Sequence, residues 1–153
     1  MIKFKFKTNK LTRAAIIAAL YVAVTYLLNP FSYGPLQFRA SEALTVLPII
    51  FPEAVPGVFI GVLIANIFSP AGLIDVVGGS LVTLLAAYVT YKFKDSIIAY
   101  LSPVVFNAFL ISLYLYKLYG IPYWLNVIQI GFSEAIVVFL LGYPMIQLLK
   151  KHF

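Results

Sequence analysis

No cysteine occurs anywhere in the chain, and histidine occurs once, at His152 near the C-terminal end. The first absence excludes a disulfide framework, a thiolate metal site and a cysteine nucleophile. The second leaves no interior histidine for acid–base work or for a metal centre. Charge is scarce too. Charged residues make up 10% of the chain, against about 25% in an ordinary soluble domain. No G-x-x-x-x-G-K-[ST] phosphate loop is present, so any ATP-driven step has to come from another chain. An intramembrane enzyme would need a nucleophile with its base, paired acids or a metal at matched depth; the sequence shows a lone mid-membrane glutamate instead. No cofactor is implied.

What fills the chain is apolar. Hydrophobic residues make up 63% of it and the mean hydropathy is +1.00, too apolar to cover a globule with polar groups. Six hydrophobic segments stand out, at 12–29, 41–52, 55–68, 72–92, 96–117 and 122–149. They predict an all-α integral membrane protein, a bundle of six transmembrane helices with short second and third helices, forming one membrane domain over 1–153. The net charge of +6 sits beside apolar segments, so it reads as lipid topology rather than nucleic-acid binding. With the N-terminus inside, Lys3, Lys5, Lys7, Lys10, Arg13, Lys92, Lys94, Lys150 and Lys151 fall on the cytoplasmic side, and only Arg39 and Lys117 fall outside. That bias predicts both termini inside and an even number of crossings. Residues 1–11 then form a basic cytoplasmic arm. The same stretch before an apolar run also fits a signal peptide, but no small-residue cleavage site follows it.

The stretch "NPFSYGPLQFRASEALTVLP", residues 29–48, interrupts the apolar pattern with two prolines, a glycine, Arg39 and Glu42. The two segments after residue 40 have twelve to fourteen residues and span about 18–21 Å as α-helices, against a hydrocarbon core of about 30 Å. They must tilt, run through irregular backbone or be sheltered by neighbours. Irregular backbone at membrane depth is tolerated only where protein buries it or water reaches it, so a cavity is expected here. Residues 29–40, with Phe31, Tyr33 and Phe38, read either as an outer lid folding over the mouth of the bundle or as a loop lying in the headgroup layer.

Polar residues at membrane depth concentrate in the outer half: Glu42, Asn66, Asp75, Asn107, Asn126, Gln129, Ser133 and Glu134. On a helix, Asn126, Gln129 and Ser133 lie within about 60° of one another, and Glu134 about 80° round from Asn126. Amides and carboxylates on such a wall suit a flat, hydrogen-bonding heteroaromatic ligand, because a carboxylate accepts two N–H bonds at once. Other roles fit some of these residues. Glu42 suits a helix first turn paired with Arg39, Asp75 a cap, and Asn66 and Asn107 glue between helices. Glu134 is hardest to assign a structural role, because no Lys or Arg lies at its depth in the sequence. If all these polar groups were glue, the chain would be a structural assembly subunit.

In "AAIIAALYVA", Ala15, Ala19 and Ala23 recur every four residues, a spacing that lets another helix approach closely, either within this chain or from a partner. Together with "YGPLQFRASEALTVLP" and "PGVFIGVLIANIFSPAGLIDVVGGSLVTLLAAY", this pattern resembles the substrate-binding (S) components of energy-coupling-factor vitamin transporters, and in particular the queuosine-precursor transporter family, QueT. The resemblance covers nearly the whole chain. It implies a prokaryotic cytoplasmic membrane protein that binds a deazaguanine precursor of queuosine, or queuine. It implies that residues 29–40 close over an outward-facing pocket. It also implies that Ala15, Ala19 and Ala23 dock on a membrane-embedded coupling (T) protein, with ATP hydrolysis by a cytoplasmic ATPase pair. The expected ligand set is Glu134, Asn107, Asn126, Gln129, Asn66, Asp75, Glu42, Arg39, Tyr33 and Phe38; no metal is expected. Another small heteroaromatic vitamin is the alternative substrate.

Overall fold

A computed structural model describes residues 9–32 and 38–153. Most of the basic arm and residues 33–37 of the expected lid, Tyr33 among them, lie outside the described residues. The described residues form seven helices and no strand: α1 (Lys10–Leu27), α2 (Asn29–Ser32), α3 (Ala40–Ile49), α4 (Ala54–Asn66), α5 (75–92), α6 (Ile98–Tyr119) and α7 (Tyr123–His152). The sequence predicted six helices. The additional one is the four-residue α2, a helical turn that continues from α1 inside the stretch expected to be lid. It is tied down because the Ser32 hydroxyl donates to the Thr25 carbonyl at 3.0 Å.

Three helices, α1, α6 and α7, are long and apolar enough to cross a membrane, whereas α3 and α4 are apolar but shorter. The surface is the reverse of a soluble domain. Leu27, Trp124, Phe132 and Leu140 are largely exposed, while Glu42, Asn66, Asp75, Asn107 and Glu134 are buried. An exposed apolar exterior on this scale needs lipid or protein against it.

The short α3 runs through the middle of the bundle and packs against α1, α4, α5, α6 and α7. It is a 3-10 helix, and every residue from Ser41 to Ile49 except Leu44 is buried. A 3-10 helix rises about 2.0 Å per residue, so ten residues reach about 20 Å where an α-helix reaches about 15 Å. This stretch and the enclosure by neighbours together account for a short, proline-containing segment at the centre. The 3-10 repeat of three also stacks residues i and i+3 on one edge, which sets Arg39, Glu42 and Thr45 in line.

Helices α1 and α4 pack backbone to backbone. A Cβ at Gly57 would lie 2.9 Å from the Ala14 carbonyl oxygen, and one at Gly61 would lie 2.8 Å from Tyr21 Cβ, so only glycine fits at either position. Helices α5, α6 and α7 each contain a π-helical stretch, at Asp75–Gly79, Asn107–Ile111 and Val137–Gly142. Such widened turns are rare and recur at functional sites. Asp75 and Asn107 are the first residues of theirs. At the far end of the bundle, Arg13 pairs with Glu53 at 2.7 Å and lies over the Phe51 ring, which in turn meets Phe153. The start of α1 and the end of α7 therefore share one end, and Lys94 and Lys150 line a common depression.

Candidate functional site

Six helices each send a polar side chain inward to one place. The Arg39 and Glu42 side chains come from the start of α3, Asn66 from the last residue of α4, and Asp75 and Thr83 from α5. Asn107 comes from α6, Glu134 from α7 and Tyr21 from α1. A cavity of about 20 Å³ lies among them, lined by Arg39, Glu42, Asn66, Asp75, Gly79, Thr83, Ile111, Ile130 and Glu134. That volume holds about one water centre. Ligand pockets usually measure about 300–1,000 Å³, so this cavity is far smaller than a bound heteroaromatic ring would need.

The side chains divide into two sets. The first is closed on itself. Arg39 Nη1 donates to Asn66 Oδ1 at 3.0 Å, and Asn66 Nδ2 donates to the Asp75 carbonyl at 2.9 Å. The two carboxylate oxygens of Asp75 accept from Ser69 Oγ, at 2.5 Å, and from the Tyr114 hydroxyl. This set holds the guanidinium of Arg39 against the cavity, close enough to act electrostatically on both Glu42 and Glu134. Gly79 makes the arrangement possible, since a Cβ there would lie 2.8 Å from Asn66 Nδ2 and 3.0 Å from Asp75 Oδ1.

The second set has free valences. Glu42 is 3% exposed, Glu134 7% and Asn107 1%. Among the described residues, Glu42 Oε2, Glu134 Oε2 and both polar atoms of the Asn107 amide have no hydrogen-bond partner. Asn107 stands near both carboxylates, but in hydrogen-bond geometry with neither. Buried polar atoms are nearly always bonded, so two orphaned carboxylate oxygens on one cavity, with an unpartnered amide near both, are the mark of a site made for something else to complete. Three free acceptors beside one free amide donor call for a ligand rich in N–H groups.

The expected residues are therefore placed unevenly. Glu42, Arg39, Asn66, Asp75, Asn107 and Glu134 come together. Glu134 is not alone at its depth, as the sequence suggested, because Glu42 and Arg39 reach it from α3. Asn126 is buried one turn before Ile130 and its Nδ2 is unpartnered, but neither it nor the half-buried Gln129 lines the cavity. The buried stripe of α7 is Asn126, Ile130, Ser133 and Glu134, and Ser133 Oγ donates to the Gln129 and Ile130 carbonyls of its own helix. Phe38 is half-buried beside Arg39 in the chain. Tyr21, Tyr114 and Thr83 were not anticipated. The available hint for Tyr21 was its four-residue spacing from Thr25, two hydroxyls on one stripe of a largely apolar helix.

On α1, Ala15, Ala19 and Ala23 are exposed and line a shallow apolar groove with Val22 and with Ile60 and Ile64 of α4. The internal packing role falls to Ala14 and Ala18, whose carbonyls face Gly57 and Gly61. The outer alanines are left without a partner element among the described residues.

Residues 11–151 match the sequence model of a family described as QueT transporter. The chain belongs to the QueT transporter family. Over 83 residues, 53% of this chain, it is 41% identical to the queuosine precursor transporter QueT of Lactococcus lactis subsp. cremoris (strain MG1363). The match spans 48% of that relative, so the chain covers about half the length of the curated relative it matches. No solved structure matches the chain. All the cavity-lining residues and the three outer alanines fall inside the span shared with the QueT family.

Proposed function

We propose that the protein is the substrate-binding (S) component of an energy-coupling-factor importer and takes up a queuosine precursor, a deazaguanine or queuine. The observation that carries this reading is the pair of orphaned carboxylate oxygens on Glu42 and Glu134 at one buried cavity, with the unpartnered Asn107 amide near both, in a chain of the QueT family. A deazaguanine base is flat and presents adjacent N–H donors along one edge. A carboxylate can accept two of these at once, and the Asn107 amide can accept and donate beside it. Glu134 is the charged anchor and Glu42 the second acceptor, with Arg39 offsetting part of their charge. Binding has to widen the cavity.

Six crossings by α1, α3, α4, α5, α6 and α7 put both termini on the cytoplasmic face of the prokaryotic membrane, one domain in all. The clustering of Arg13, Lys94 and Lys150 toward the end shared by the start of α1 and the end of α7 supports this orientation. The groove bearing Ala15, Ala19 and Ala23 receives the membrane-embedded coupling protein, because small side chains allow close helix approach. A cytoplasmic ATPase pair then supplies the energy. Native mass spectrometry of the purified protein, followed by calorimetry with queuosine precursors, tests the reading. A copurified deazaguanine or measurable binding upholds it. No binding, with an unrelated molecule copurifying, overturns it.

A further inference from the structure

Tyr21 has no place in the ligand set described above, yet it is the largest fully buried side chain among the described residues, at 0% exposure. Its ring packs into the notch left by Gly61. Its hydroxyl donates to Glu42 Oε1 at 2.5 Å, and Arg39 lies close enough to act on it as well. One turn further along α1, Thr25 Oγ1 and Ser41 Oγ are hydrogen-bonded at 2.7 Å. Two hydroxyls, four residues apart on α1, thus clasp two consecutive residues at the start of α3. Glu42 needs such a clasp. Its helix is of the weaker 3-10 kind, and a glutamate side chain has three rotatable bonds to fix.

We propose that Tyr21 is the positioning residue of the pocket: by binding Glu42 Oε1 it turns the orphaned Oε2 toward the ligand. The inference rests on the ligand reading of the cavity. Tyr21 does not itself line that cavity, so it acts through Glu42. Because the same helix carries Ala15, Ala19 and Ala23 on its outer face, the contact also joins the helix offered to a partner with the helix that holds the ligand.

The test is a double-mutant cycle with Tyr21→Phe and Glu42→Gln. Phenylalanine keeps the ring in the Gly61 notch and removes only the hydroxyl. Tyr21→Phe should weaken precursor binding about tenfold. Adding it to Glu42→Gln should cost no more than threefold further, because the group it positions is already changed. Additive losses, or unchanged affinity in Tyr21→Phe, overturn the proposal. A second readout needs no ligand. The chain has only five carboxylate side chains, so the infrared band that disappears in Glu42→Gln belongs to Glu42. In Tyr21→Phe that band should shift. If wild type binds no precursor, the substrate reading falls and the band alone decides: a shift upholds the hold of Tyr21 on Glu42, and an unmoved band overturns it.

Discussion

Replacing Glu134 with glutamine separates the role of its charge from the role of its shape. The side chain is 7% exposed and its Oε2 has no hydrogen-bond partner among the described residues. Its nearest influences are the Glu42 carboxylate, the Asn107 amide and Arg39. A ligand N–H bonded to the charged oxygen contributes about 1.5–3 kcal/mol, so Glu134→Gln should weaken binding about ten- to hundredfold. The ligand-free protein should respond in the opposite direction. Removing one of two facing carboxylates relieves like-charge repulsion, and the new Nε2 can donate to a neighbouring oxygen. The unliganded variant should therefore melt higher, as happens where a binding site holds groups that fit a ligand better than each other. Titration calorimetry on detergent-purified wild type and variant gives the first quantity, and ligand-free thermal unfolding gives the second. Affinity equal to wild type would remove Glu134 as the anchor. Weaker binding with a lower melting temperature would refute the charge argument in favour of damage to the fold.

Further outcomes follow from the same geometry. Gly79→Ala puts a Cβ 2.8 Å from Asn66 Nδ2 and should destabilise the protein by about 1–3 kcal/mol while displacing Arg39, seen as a lower melting temperature together with weaker binding. Ala19→Trp should abolish copurification with the coupling protein yet leave ligand affinity within about threefold, because Ala19 faces outward; a complex of normal yield would give the groove another role. Cysteines placed at Lys94 and Phe153 should resist membrane-impermeant reagents in intact cells, and labelling of either from outside would reverse the topology.

The helices were legible where hydrophobicity runs long. The expected 12–29 and 122–149 differ by only a few residues from Lys10–Leu27 and Tyr123–His152. The 3-10 form of α3 was not legible. Ser41, Glu42, Ala43, Thr45 and Val46 are buried on all sides, so no exposed face was left to reveal the period. The helix addition at Asn29–Ser32 was hidden by Pro30, which reads as a breaker but is tolerated in a first turn. In the site, cost at depth was the useful signal: a charge or amide in an apolar helix has to face inward, which named Glu42, Asn66, Asp75, Asn107 and Glu134. The helical wheel was less reliable on α7. It set Asn126, Gln129, Ser133 and Glu134 along one wall, and of these Glu134 lines the cavity, together with Ile130. Tyr21 and Tyr114 escaped notice because a tyrosine counts as an apolar residue in a hydropathy sum, and its hydroxyl shows its use only when a partner from a distant helix is in place.

The division between satisfied and orphaned groups also says where binding energy can come from. Asp75, Asn66 and Arg39 already bond to one another, so a ligand gains little by competing for them. Glu42, Glu134 and Asn107 hold buried valences that cost about 1–3 kcal/mol each when left unmade. A ligand that meets them removes a cost already present in the folded chain, and this offsets the work of widening a 20 Å³ cavity. The closed set supplies the rigid wall and the orphaned set supplies the demand. Helix α1 borders both concerns of a transport subunit, with Tyr21 and Thr25 turned in to α3 and Ala15, Ala19 and Ala23 turned out. A shift of α1 by a docked partner would therefore reach the start of α3 directly, through the Tyr21–Glu42 hydrogen bond and the Thr25–Ser41 pair.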